Sequence, residues 1–135
     1  MNARVTQITL VVKDQAAALE FYTGKVGFEE KKTDYTPPGG HGWVTVGPTE
    51  QDLELALFQL ESEDPNGWSS RWRPGSGPPI VLRVDDCSGA FAELRSRGVG
   101  FEQTQPEEHP WGTSATFSDP DGNLFSINQP PATWS

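Results

Sequence analysis

The sequence holds a single cysteine, Cys87, so an intrachain disulfide is excluded and a reducing, cytoplasmic setting is expected. Only two histidines, His41 and His109, are available as imidazole ligands. Basic residues are also few: ten Lys and Arg against 19 Asp and Glu, a formal charge of −9. Those cations are scattered, which excludes the basic face that nucleic-acid binding requires. No apolar run approaches the roughly 20 residues needed to cross a bilayer. The start, MNARVTQITLVV, has one short apolar run and no small-residue cleavage site, so no signal peptide is expected. Low-complexity segments are absent.

What is present is aromatic. Five tryptophans in 135 residues is a high indole load, and flat ligands stack on indoles. The length suits one compact domain, or two small halves sharing a core.

The stretch SDPDGNLFSIN, residues 118–128, poses a choice between a metal loop and a turn. An EF-hand loop needs Gly at its sixth position and Glu at its twelfth. Counted from Asp119, the glycine is fourth (Gly122) and the twelfth residue is Pro130. The stretch therefore reads as a tight connection between strands, with Pro presetting φ and Gly accepting positive φ.

The chain repeats itself. VVKD at 11–14 precedes a helical stretch and then VGFEE; RVDD at 83–86 precedes another and then VGFEQ. Asp14 thus corresponds to Asp86, and Gly27 to Gly100. Further on, His41 and Trp43 correspond to His109 and Trp111. So long a period, present twice, indicates a duplicated supersecondary unit.

Each unit reads as strand, helix and three strands, an α+β arrangement. Strands are expected at 4–12, 28–36, 43–47 and 52–58, then at 79–85, 99–104, 111–118 and 123–129. Asp14 caps a first helix that Gly24 and Gly27 stop, and a second helix spans 87–97 with Gly98 as its stop. The first module is thus 1–58 and the second 79–135. Residues 59–78 form a turn-rich linker that carries Trp68 and Trp72 and is expected to act as a lid.

Alternation assigns the faces. Ile8, Leu10, Val12, Leu53, Leu55, Leu57, Ile80, Leu82, Val84, Phe125 and Ile127 are uniformly apolar and belong under the helices. The opposite faces carry Gln7, Glu54, Phe58, Arg83, Ser126 and Asn128, with Trp43, Trp111 and Phe117 joining them. Aromatics mixed with a few polar groups suit a small-molecule cleft.

The segments ITLVVKDQAAALEFYTGKVGFEE, VDDCSGAFAELRSRGVGFE and FSDPDGNLFSIN resemble the vicinal oxygen chelate superfamily: glyoxalase I, bleomycin-resistance proteins and extradiol dioxygenases. The resemblance implies paired βαβββ modules whose sheets curl around a shared cleft. In catalytic members, metal ligands stand on the first and last strands of each module. Here those positions read Gln7, Glu54, Pro79 and Ser126, the last two assigned by carrying the Asp14-to-Asp86 offset along the chain. Pro79 offers no donor, and a Ser hydroxyl is a poor ligand for Zn, Ni or Fe.

The expectation is therefore a metal-free, cofactor-free, cytoplasmic binding protein similar to the bleomycin-resistance branch. It would hold a small, aromatic organic ligand as a homodimer. Candidate ligand-binding residues are Gln7, Trp43, Glu54, Phe58, Arg83, Trp111, Phe117, Ser126 and Asn128. Arg83 either meets a ligand carboxylate or simply neutralises Glu54. The histidines are expected to be exposed or hydrogen-bonded rather than metal ligands, and Cys87 a core thiol. Two rival readings stand beside this one. The first is a glyoxalase-like lyase, isomerase or dioxygenase-type enzyme with Glu54 as base or ligand to a divalent metal; the second is an interaction subunit with a vestigial cleft.

Overall fold

Each half of the chain begins with a strand that runs into an aspartate cap. In the computed structural model, which describes residues 1–34, 42–59, 73–75 and 77–133, β1 (Gln7–Val12) leads to Asp14. The Asp14 carboxylate accepts from the N–H groups of Ala16 and Ala17 at 3.0 and 3.2 Å, which starts α1 (Gln15–Glu20). The helix continues as a wider π turn over Phe21–Val26 and ends at Gly27, whose φ of 91° only glycine adopts without strain. Gly24 lies inside that turn and does not stop it, contrary to the sequence expectation. In the second half β5 (Ile80–Arg83) leads to Asp86, which accepts from Gly89 N–H and caps α2 (Cys87–Ser96).

The remaining strands are β2 (Glu29–Asp34), β3 (Trp43–Gly47) and β4 (Glu54–Gln59), then β6 (Glu107–His109), β7 (Gly112–Ser118) and β8 (Leu124–Gln129). They form two four-stranded mixed sheets of identical order, β1-β4-β3-β2 and β5-β8-β7-β6. In each, the first strand lies parallel to the last and the others are antiparallel. This is the expected pair of βαβββ modules.

One strand is displaced. Residues 99–104 make only an isolated bridge between Phe101 and Phe117, and β6 forms further along. The Gln103 side chain takes the Thr116 N–H at 2.9 Å, so a backbone carbonyl cannot, and the ladder ends there. Much of the expected linker and lid (60–72 and 76, with Trp68 and Trp72) and His41 lie outside the described residues.

A single core spans both modules. Leu10, Val12, Val46, Leu55 and Leu57 from the first sheet join Phe117, Phe125 and Ile127 from the second, with Tyr22, Phe91 and Leu94 from the helical segments. Tyr22 packs across the boundary onto Phe125, ring centroids 5.6 Å apart. Each such large apolar side chain, fully buried, contributes about 1.5–3 kcal/mol.

The SDPDGN turn ties the modules together. Asp119, 4% exposed, accepts from the Tyr22 hydroxyl at 2.7 Å, from Asn123 Nδ2 at 2.8 Å and from two backbone N–H groups of its own turn. Asn123 Nδ2 also reaches Val11 O at 3.1 Å, and the Lys13 N–H donates to Asp121 Oδ1 at 3.0 Å. A buried carboxylate is tolerable because four donors meet it.

Candidate functional site

The sheet faces turned away from the helices carry most of the polar residues expected at a site. On the first sheet the parallel register puts Gln7 beside Glu54, Thr9 beside Ala56 and Val11 beside Phe58. Thr45 pairs with Ala56 on the other side of β4, and Trp43 lies two residues before it on the same face. A β-bulge between Glu30 and Lys32 resets the β2 register so that Lys32, rather than Lys31, stands opposite Thr45. Lys32 Nζ then lies 3.4 Å from Glu54 Oε2. The centre of this face is recessed, with Thr45 and Ala56 buried, while Trp43 at its end is 46% exposed.

Burial pushes the Glu54 carboxyl up, but hydrogen bonding by Thr45 and Lys32, the Lys32 charge and Gln7 together outweigh it. The net effect holds the group below its ordinary carboxylate range. Among the described residues, Glu54 Oε1 and Thr45 Oγ1 are both buried with no partner at good hydrogen-bond geometry, although they are near enough to influence one another. An acidic oxygen and a hydroxyl therefore remain available to a ligand donor.

On the second sheet Val81 pairs with Ser126, and Arg83 with Asn128. Thr116 and Ser114 flank that pair from β7. Asn128 Oδ1 is buried without a partner among the described residues. Gly112 (φ 132°) packs over it, where a Cβ would collide with Asn128 Oδ1 and Gln129 O. Val81 is 64% exposed and Leu124 37%, so this face ends in open apolar surface.

Two site expectations need correction. Phe117 is fully buried, paired directly with Phe125 and stacked on it at 5.2 Å; it belongs to the core beneath the helices. Ser126 is not the counterpart of Glu54. Gln7 pairs with Glu54, and Pro79, the counterpart of Gln7, stands one step before the Ile80–Phe125 pair. The position matching Glu54 is therefore Leu124, and Ser126 matches Ala56. Trp111 sits in the β6–β7 turn, 54% exposed, with its indole stacked on the His109 ring at 4.5 Å and 4°. Cys87 is wholly buried, and burial together with the Asp86 charge raises its thiol pKa. The sequence reading missed Lys32, because every residue of EEKKTD is polar or charged and shows no face.

Residues 4–127 match the model of the Glyoxalase/Bleomycin resistance protein/Dioxygenase superfamily. The chain belongs to that superfamily. Among its relatives is the Bacillus subtilis (strain 168) protein YurT, 34% identical over 93% of this chain and 98% of its own. Among solved structures, TnmS3, an antibiotic binding protein from Streptomyces sp. CB03234, superposes with a TM-score of 0.79. It is 34% identical, over 96% of this chain and 98% of TnmS3. A superfamily member from Sphaerobacter thermophilus DSM 20745 is 35% identical with a TM-score of 0.77, over 95% and 98% of the two chains.

Superfamily enzymes use metals, but the described residues at the corresponding strand positions do not fit one. Of the four corresponding positions, Gln7 and Glu54 carry donors while Pro79 and Leu124 carry none. The ammonium of Lys32 already stands where a cation would face Glu54. Among the described residues, no group of three or more His, Cys, Asp or Glu side chains could hold a metal ion. No described helix is long and apolar enough to cross a membrane.

Proposed function

We propose that this protein binds a small, largely flat organic molecule of antibiotic type on its open sheet faces, without a metal, and releases it unchanged. The pairing of Lys32 with Glu54 carries this reading. It supplies the positive charge that a metal gives in superfamily enzymes, and it leaves one buried carboxylate oxygen for a ligand hydroxyl or amine. Trp43 and Trp111 provide stacking area, Gln7 and Phe58 flank Glu54, and Ser126 and Asn128 orient the molecule from the second sheet. The likeness to TnmS3, an antibiotic binding protein, supports the same class of ligand. A second copy of the chain would cover the exposed Trp43, Val81 and Leu124 and enclose the ligand.

A lyase or isomerase with Glu54 as general base is best served by a carboxyl raised toward neutrality. It is held lower instead. Mass spectrometry of the small molecules that copurify with the protein tests the proposal. A bound aromatic compound recovered chemically intact after prolonged incubation is expected; steady conversion to product by the purified protein would refute it.

A further inference from the structure

The two modules share one topology, yet the grooves beside their first strands are filled differently. Next to β1, the β7–β8 turn inserts its own carboxylate and amide: Asp121 accepts from Lys13 N–H, and Asn123 donates to Val11 O. Next to β5, the counterpart of β1, the β3–β4 turn makes no such insertion, and a cavity of about 640 Å³ remains. Val26, Phe28, Leu82, Val84, Leu94 and Ile127 give it apolar walls. Leu94 holds the position in α2 that Tyr22 holds after Asp14, and the Tyr22 hydroxyl completes the filled groove.

We propose that this cavity is a second small-molecule site, separate from the open sheet faces, for a compact apolar molecule bearing one carboxylate and an adjacent hydrogen-bond donor. The filled groove shows the backbone half of this recognition: Asn123 donates to Val11 O, whose counterpart is Arg83 O, while Asp121 accepts from the N–H of Lys13, two residues further on. Arg83, the counterpart of Val11, lines the cavity and has no ion pair or side-chain hydrogen bond among the described residues, so its guanidinium is free for a carboxylate. Arg97, also on the wall, is already committed to Glu93 and to Val26 O. β5 is an edge strand whose Val84 N–H bonds to β8, so the backbone groups of Arg83 point outward to meet the donor. Glu50 on the same rim disfavours a dianion and favours a molecule with a donor beside its single carboxylate.

The test is methyl NMR of the full chain titrated with N-acetyl-L-phenylalanine, which carries the ring, the carboxylate and an adjacent N–H. Saturable shifts at Val26, Leu82 and Leu94 are expected. The neutral N-acetyl-L-phenylalaninamide should bind at least about tenfold more weakly, and Arg83→Gln should weaken the acid by a similar factor. Leu94→Tyr, which copies Tyr22 into the cavity, should abolish the shifts. Absence of saturable shifts, shifts confined to the open sheet faces, or shifts indifferent to Arg83→Gln would each overturn the proposal.

Discussion

Lys32 Nζ stands 3.4 Å from Glu54 Oε2, and a β-bulge in β2 is what brings it there. Against the burial that raises it, Thr45 and Lys32 together hold the Glu54 carboxyl below its ordinary range. Lys32→Met removes both a hydrogen bond and a charge, so the Glu54 pKa should rise. Because that carboxyl is held below its unfolded value, it contributes stability above the ordinary carboxylate range and loses it as pH falls through the lowered value. In the variant that contribution shrinks, and acid unfolding should begin at higher pH. Carboxyl-carbon NMR titration decides it; an unchanged Glu54 curve would dismiss Lys32 as the cause.

The Tyr22–Asp119 bond makes the modules interdependent. Tyr22→Phe deletes one of four donors to a buried carboxylate and should cost about 1.5–3 kcal/mol in urea unfolding. Asn123→Ala should cost more, because its amide serves both Asp119 and Val11. Both variants should unfold in one transition. A loss below about 0.5 kcal/mol for Tyr22→Phe, within the range of ordinary surface changes, would mean that the turn is held by its backbone alone.

Cys87 is a packing residue. Its sulfur is buried and its pKa raised, so an aromatic disulfide reagent should modify it only as fast as the protein opens. Rapid modification of the native chain at neutral pH would contradict this placement.

Association should be visible in solution. Trp43, Val81 and Leu124 leave apolar surface at the ends of the open faces, and a partner copy would cover it. Light scattering at micromolar concentration should give about twice the 14.8 kDa chain mass. A mass of one chain would contradict the dimer, and Val81→Glu should shift the parent toward monomer.

The duplication was legible because VVKD and VGFEE recur as RVDD and VGFEQ, and the faces were legible where those of β1, β4 and β5 contrast. The apolar sets Ile8/Leu10/Val12 and Ile80/Leu82/Val84 fix both parity and register. In β7 the contrast fails. TSATFS places small hydroxyl residues on both faces, so Phe117 could be read outward until its stacking on Phe125 placed it in the core. Ser126 was misaligned for another reason: a fixed offset cannot hold where the modules differ in loop length. The offset that takes Asp14 to Asp86 is one short at Gly27 and Gly100, and it overshoots by two where Glu54 matches Leu124. Lys32 was illegible because bulges follow backbone geometry, and no residue in EEKKTD marks one.

Under the proposed function, ligand binding proceeds without a metal. Calorimetric titration of chelator-treated protein with a panel of planar aromatic antibiotics, repeated with zinc or nickel added, puts this to the test. A saturable ligand in the panel is expected, with the same affinity in both titrations and a lower one when Trp43 or Glu54 is replaced by Ala. Binding that appears only with metal, or a stoichiometric metal site that requires Glu54, would contradict it.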